Sequence, residues 1–203
     1  MAVSNMTRVE AVNIIIGTIG LSPINSLLGS LTSDITAAAG VLDEITRDTL
    51  AEGWHWNTEH DYPLSPNGSG EINWPVDAAQ LSFSADNNPG AVVLVRRNGK
   101  LYDRKARSYV WDNTIKVTML LYLEWDDIPQ AARAFIAIAA ARRYSNRMVG
   151  AGEINAYTMQ DQLQARSAMM DDEANTANYN VFNTYDTARP LRRAMGETVF
   201  FNR

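Results

Sequence analysis

Residues 115–143 read IKVTMLLYLEWDDIPQAARAFIAIAAARR, and the period of their hydrophobicity changes partway along. Ile115, Val117, Met119, Leu121 and Leu123 alternate with Lys116, Thr118, Leu120, Tyr122 and Glu124, the two-residue period of a long strand that keeps one face in a core. From Asp127-Ile128-Pro129 the pattern turns helical. Asp127 lies near the positive end of a helix dipole, and Pro129 falls in the first turn, where its missing N–H does no harm. Phe135, Ile136, Ile138, Ala139 and their alanine neighbours leave this helix apolar on most sides until Arg142 and Arg143. Such a helix belongs among several packed neighbours. At this point a β region gives the chain back to a helical one.

Upstream, Thr7-Arg8-Val9-Glu10 has the spacing of a capping box, and Val9, Val12, Ile15, Ile16 and Ile19 predict a first helix over residues 8–19. Pro23 and Gly29 make 20–33 a loop. Ser33 or Asp34 is the expected cap of a second helix striped by Ile35, Ala38, Ala39, Leu42, Ile45 and Leu50 and stopped at Gly53. Between Trp54 and Trp125 the helical period disappears, and Pro63, Pro66, Pro75 and Pro89 punctuate short aromatic and β-branched stretches. Within it, Val92-Val93-Leu94-Val95, Asn98-Gly99 and Leu101-Tyr102 read as a hairpin closed by a type I′ turn. Downstream, Gly150 and Gly152 mark a turn. Ile154, Tyr157, Met159, Leu163, Ala165, Met169 and Met170 carry a fourth helix to about residue 175. The remainder is rich in Asn and Thr without a period and reads as an extended tail.

The predicted class is therefore α+β: a four-helix bundle with an antiparallel β module inserted between helices two and three, and an extended C-terminal tail. The expected division is 1–53 with 127–176 as the helical domain, 54–126 as the inserted β domain, and 177–203 as the tail. The chain has 203 residues, 46% of them hydrophobic and 20% charged, with a net charge of -5. A chain of this length hides about 70% of the surface its unfolded form exposes, enough for one or two cores without staples. It has no cysteine, which removes disulfide scaffolds, thiolate metal sites and cysteine nucleophiles. The acidic balance argues against a general nucleic-acid binder. The longest apolar stretch, Ala131 to Ala141, is broken by Arg133 and is shorter than the ~20 residues of a membrane span. With no signal-peptide pattern after the N-terminal isoleucines, the expectation is an unprocessed chain made in the host cytoplasm, with no membrane partner.

Catalytic constellations are scarce. The two histidines, His55 and His60, stand five residues apart, so on a strand they face opposite ways and cannot share a metal. No nucleophile elbow, P-loop or dinucleotide-binding turn is present, and no cofactor or metal is expected. Asp126-Asp127 and Glu59 with Asp61 are the nearest carboxylate pairs. Asp126-Asp127 suits a helix start better than hydrolysis, and Asp171-Asp172-Glu173 suits a solvated face.

Charge is unevenly placed. Arg96, Arg97, Lys100, Arg104, Lys105 and Arg107 stand against Asp103 alone, a local +5. Arg8 and Arg47 stand against Glu10, Asp34, Asp43, Glu44, Asp48 and Glu52, a local -4 over residues 1–53. Opposite patches suit subunits meeting through complementary surfaces, although a solvated hairpin accounts for the same cations. The tail adds Arg189, Arg192 and Arg193 around Pro190, then Phe200 and Phe201, a composition suited to docking on a partner.

Four segments carry a resemblance: Ile16-Gly17-Thr18-Ile19-Gly20 leading to Pro23-Ile24-Asn25-Ser26-Leu27; Gly53-Trp54-His55-Trp56-Asn57; Leu101-Tyr102-Asp103-Arg104; and Ala141-Arg142-Arg143-Tyr144-Ser145-Asn146-Arg147 followed by Gly150 and Glu153. In order and spacing, from about residue 7 to 182, the chain resembles the tail tubular protein A family of short-tailed phages. The ending beyond Ala188 lies outside that likeness. The resemblance implies a head-to-tail adaptor without catalysis. It forms a ring of twelve copies docked by its helices on the portal protein and continued by the tail nozzle, tubular protein B. Tail fibres attach at that junction, and double-stranded DNA passes through without specific binding. Arg142, Arg143, Arg147, Arg189, Arg192, Arg193, Phe200 and Phe201 are the expected contacts to the portal or a neighbouring subunit. The six cations from Arg96 to Arg107 are the expected contacts of the β domain with fibre, nozzle or neighbour. The alternative is a tail-associated polysaccharide or peptidoglycan hydrolase, using Trp54, Trp56, Trp74, Trp111 and Trp125 with Glu59 or Asp126.

Overall fold

The computed structural model describes residues 4–29, 31–83, 94–148, 150 and 152–176. Four helices, α1 (Arg8–Gly17), α2 (Ser33–Leu50), α3 (Gln130–Met148) and α4 (Gly152–Thr176), enclose in sequence five strands: β1 (Thr58–Leu64), β2 (Ala78–Phe83), β3 (Leu94–Arg97), β4 (Lys100–Asp103) and β5 (Ile115–Leu121). The class is α+β.

The capping box forms as the sequence predicts. Thr7 Oγ1 accepts from the Glu10 N–H at 3.2 Å, and Glu10 Oε2 accepts from the Thr7 N–H at 2.7 Å. That backbone bond, with one from the Thr7 hydroxyl, holds the Glu10 carboxyl below the usual range. Helix α1 ends at Gly17, two residues short of the predicted end. The Thr18 N–H and hydroxyl both bond the Ile15 carbonyl, tightening the last turn, and Gly20 then takes φ +78°. The cap of α2 is Thr32 rather than Ser33 or Asp34. Its backbone is extended and its hydroxyl accepts from the Ile35 N–H, while Ser33 and Asp34 are already helical.

Helix α3 packs against α1, α2 and α4. Its Ala132, Ala137, Ala140 and Ala141 are buried, and side chains this small let the surrounding helices approach closely. The helical core joins Val12, Ile15 and Ile16 of α1, Val41, Leu42 and Ile45 of α2, Ile136 and Tyr144 of α3, and Met169 of α4. The apolar stripe expected on α4 divides: Met169 is buried, whereas Met159, Leu163 and Met170 stay exposed.

Strand β5 is the centre of a three-stranded antiparallel sheet, order β1-β5-β2, with Tyr62 opposite Val117 and Leu81 opposite Met119. The inward residues Val117 and Met119 join Leu64, Ile72, Ala78, Leu81 and Leu101 in a second hydrophobic cluster, distinct from the helical one. The predicted long strand stops at Leu121. Beyond it the Tyr122 N–H bonds the Asp77 carbonyl, and Leu123 crosses to pack on the helical cluster. The hairpin β3-β4 turns through Asn98 (φ +52°) and Gly99 (φ +70°), the pair of positive φ angles its sequence predicts. Val92 and Val93 lie outside the described residues. Trp125–Asp127 form a separate 3-10 turn, so Asp126 and Asp127 precede α3 instead of starting it, and Pro129 stands just ahead of its first residue.

Candidate assembly interface

Two crossings join the helical core to the β region, and both are built from buried polar groups. At the outgoing crossing, Gly53 takes φ +80° after α2, and a Cβ there would meet Leu120 Cδ1 at 3.2 Å. Asn57, 1% exposed, donates to the Leu50 carbonyl at 2.7 Å and the Leu121 carbonyl at 3.0 Å, and accepts from the Trp54 N–H at 2.7 Å. One amide thus ties the end of α2, the turn and the end of β5. The Trp54 indole N–H donates to the Thr49 carbonyl at 2.8 Å. His55 lies in a short 3-10 turn, not on the strand assumed for it. Its N–H donates to Glu173 Oε1 at 2.9 Å, and its Nδ1 meets the other carboxylate oxygen. Glu173 is therefore no solvated residue, because it fastens α4 to this turn; His60, on β1, lies near the Thr118 hydroxyl.

At the returning crossing stands Arg133, 4% exposed. Its Nε donates to the Ile128 carbonyl at 2.6 Å, Nη1 to the Met6 carbonyl at 2.8 Å, and Nη2 to the Asp126 carbonyl. The Trp125 indole N–H reaches the same Met6 carbonyl at 3.0 Å. The sequence reading treats Arg133 only as a break in an apolar run. A lone cation inside an alanine-rich helix is itself the available signal, since burial forces such a group to find several acceptors.

Asp43, Glu44 and Asp48 of α2, and Glu52 just after it, pair with arginines of the same chain. Arg8 pairs with Asp43 at 2.7 Å, Arg143 with Glu44 at 2.9 Å and Asp48 at 3.1 Å, Arg147 with Glu44 at 2.9 Å, and Arg166 with Glu52. Arg142 donates to Gln162 of α4 at 2.8 Å. The Arg147 hydrogen bond holds the Glu44 carboxyl below the ordinary glutamate range; burial opposes it, and the charges of Arg147 and Arg143 add to it. A carboxyl lowered in the folded state stabilises above its unfolded pKa, and that contribution is lost as pH falls through the folded one. Glu44→Gln is thus expected to lower the thermal midpoint slightly at neutral pH, with the gap to wild type closing in acid below the ordinary glutamate range. A gap unchanged by acid would contradict the assignment.

The basic hairpin has few acids near it. Lys100 pairs with Glu71 at 2.6 Å. Arg97 lies 4.1 Å over the Tyr102 ring and Arg96 5.8 Å over Trp74, placements that support a guanidinium plane while leaving its edge outward. Arg104, Lys105 and Arg107 sit exposed on a tight turn. Asp103 shapes it: Oδ1 accepts from the N–H of Lys105 at 2.7 Å and of Ala106 at 3.0 Å, and Arg107 takes φ +55°. Arg96, Arg97 and Lys100 flank the Asn98-Gly99 turn, whereas Arg104, Lys105 and Arg107 stand at the other end of the β3-β4 ladder, so the structure divides the six cations between two places.

A family model described as "Tail tubular protein" matches residues 9–179. The chain belongs to the tail tubular protein family. It is also similar to the tail tubular protein A of Klebsiella phage KP34, 23% identical over 190 residues that cover 93% of this chain and 98% of that protein. Tail tubular proteins are structural rather than enzymatic components of the virion tail, which closes the hydrolase alternative. Its tryptophans have structural placements. Trp54 and Trp125 are buried, the Trp74 indole donates to the Ala78 carbonyl and that of Trp111 to the Leu101 carbonyl. Asp126 is 91% exposed at its side chain, 3.8 Å from Arg133. Among the described residues no helix is long and apolar enough to cross a membrane. Arg189, Arg192, Arg193, Phe200 and Phe201 lie outside the described residues.

Proposed function

We propose that this tail tubular protein is the head-to-tail adaptor: a ring of twelve copies between the portal and the tail nozzle, extending the DNA channel and helping to attach tail fibres. The observation that carries this reading is the order of elements, helix, helix, β region, helix, helix, with a separate hydrophobic cluster in each part. A ring adaptor has two jobs at two ends, and such a chain offers two surfaces held in fixed relation by Asn57 and Arg133. In this reading residues 1–53 and 127–176 form a four-helix bundle domain that docks on the portal, 54–126 an inserted domain, and 177–203 an extended tail. Arg142, Arg143 and Arg147 lie along the last turns of α3, and they, with the tail residues Arg189, Arg192, Arg193, Phe200 and Phe201, contact the portal or a neighbouring subunit. Their ties to Gln162, Glu44 and Asp48 orient them for that role. The β domain meets fibre, nozzle or neighbour through the cations from Arg96 to Arg107, of which Arg96 and Arg97 lie over aromatic rings. DNA passes without specific binding.

Sedimentation of the purified chain with portal rings tests the reading. Co-sedimentation at a fixed stoichiometry is expected, and Arg104→Glu with Arg107→Glu should leave it intact while weakening attachment of nozzle or fibre. A chain that sediments alone beside intact portal rings overturns the proposal.

A further inference from the structure

The sequence holds two Asn-Gly pairs, Asn67-Gly68 and Asn98-Gly99, and all four residues are exposed. Asparagine followed by glycine is the dipeptide most open to deamidation, because no Cβ shields the glycine nitrogen from the side-chain amide carbon. Both pairs meet that chemical requirement. What separates them is how the asparagine side chain is held.

Asn67 is tied down. Its Oδ1 accepts from the Ser69 N–H at 2.9 Å and from the Glu71 N–H at 3.0 Å, the first being the local bond of an Asx turn. Its own N–H donates to the Glu71 carbonyl at 2.8 Å, and its carbonyl accepts from the Gly70 N–H at 2.9 Å. Turning Cγ toward the Gly68 nitrogen gives up both Oδ1 bonds. Asn98 has much less to lose, since its Nδ2 lies 3.5 Å from the Tyr109 hydroxyl, the outer limit of a hydrogen bond. Arg97 and Lys100 close the two-residue turn, so the Gly99 N–H has no place in the ladder. The Gly99 carbonyl accepts from the Trp74 N–H at 2.9 Å and anchors the turn, and a Cβ on Gly99 would meet nothing within 4 Å, so the space beside that residue is open. Arg96, Arg97 and Lys100 flank the site, and neighbouring cations favour the anionic nitrogen through which the reaction passes.

We propose that Asn98 is a site of spontaneous deamidation in the folded chain, through a succinimide closed by the Gly99 nitrogen, and that Asn67 is protected. Solvent base takes the proton of the Gly99 N–H, and the nitrogen bonds to Asn98 Cγ. The Cγ–Nδ2 bond breaks, and the leaving amide group takes a proton from water and departs as ammonia. A water molecule then opens the ring at one carbonyl or the other, giving aspartate or isoaspartate at position 98. Either product sets a carboxylate between Arg97 and Lys100 and takes one charge from the positive surplus at the turn. The isoaspartyl form also adds a methylene to the backbone of a turn that has only two residues. This inference is independent of the adaptor reading.

The folded full chain is aged in mildly alkaline buffer beside a sample held unfolded in urea, and both are followed by ion exchange and by mass mapping of chymotryptic peptides. An acidic species is expected to grow in the folded sample, with its new carboxyl at position 98 and part of it labelled by an isoaspartyl methyltransferase. Losing two ordinary hydrogen bonds makes the reactive conformer of Asn67 rarer, so its conversion should be at least about tenfold slower than that of Asn98. In urea the two rates should converge. A folded chain that converts Asn67 as fast as Asn98, or that converts neither while the unfolded chain converts both, would overturn the proposal. So would a tenfold preference that persists in urea, because local sequence rather than the fold would then set it.

Discussion

Arg133→Met destabilises the folded chain by about 3–5 kcal/mol, the range for deleting a buried charged donor that satisfies several acceptors. Methionine keeps the apolar stem, so packing in α3 changes little. What is lost is the set of bonds to the carbonyls of Met6, Ile128 and Asp126. Met6 retains the Trp125 indole at 3.0 Å, while the other two carbonyls are left with less. Arg133→Lys recovers only part of the loss, because one ammonium cannot reproduce a planar fork aimed at carbonyls on either side. Urea unfolding of the three proteins checks this. A loss below about 1 kcal/mol for Arg133→Met, the size of a single ordinary hydrogen bond, would mean that water replaces the guanidinium there.

Asn57→Ala is the second large effect, about 2–4 kcal/mol, since two carbonyls and one N–H lose a partner inside the structure. The location matters as much as the size. These bonds join Leu50 at the end of α2 to Leu121 at the end of β5, so the variant should open the crossing before either hydrophobic cluster melts. Limited proteolysis is expected to cut first near residues 51–58. Asn57→Asp should be worse than alanine, because a carboxylate would face two carbonyls that need donors. Cleavage first within the helical core would contradict this order of events.

How much of this was legible in the sequence depended on the kind of interaction. Periodicity found the helices and the alternation in β5, because side-chain burial repeats with the backbone, and the positive-φ preference of Asn98-Gly99 found the hairpin turn. It set boundaries less well. Thr32 and Thr18 act through hydroxyl bonds to the backbone, and those displace the ends of α2 and α1 by a residue or two from where apolar spacing puts them. The long-range polar bonds at the two crossings were not legible at all. Arg133 reaches a carbonyl 127 positions away, and His55 meets Glu173 at a separation of 118. No local pattern encodes either pair. The same limit applies to charge: a count of acids over residues 1–53 suggests an open negative surface, whereas Arg8, Arg143, Arg147 and Arg166 arrive from other helices to pair with them.

The proposed adaptor role rests on the shape this chain presents to its copies and to the portal. Single-particle electron microscopy of the full chain mixed with purified portal rings tests it most directly. A coaxial twelve-fold ring below the portal is expected, with the helical part against the portal and the β region facing away. Portal particles that remain bare, or a ring bound by its β region, would contradict it.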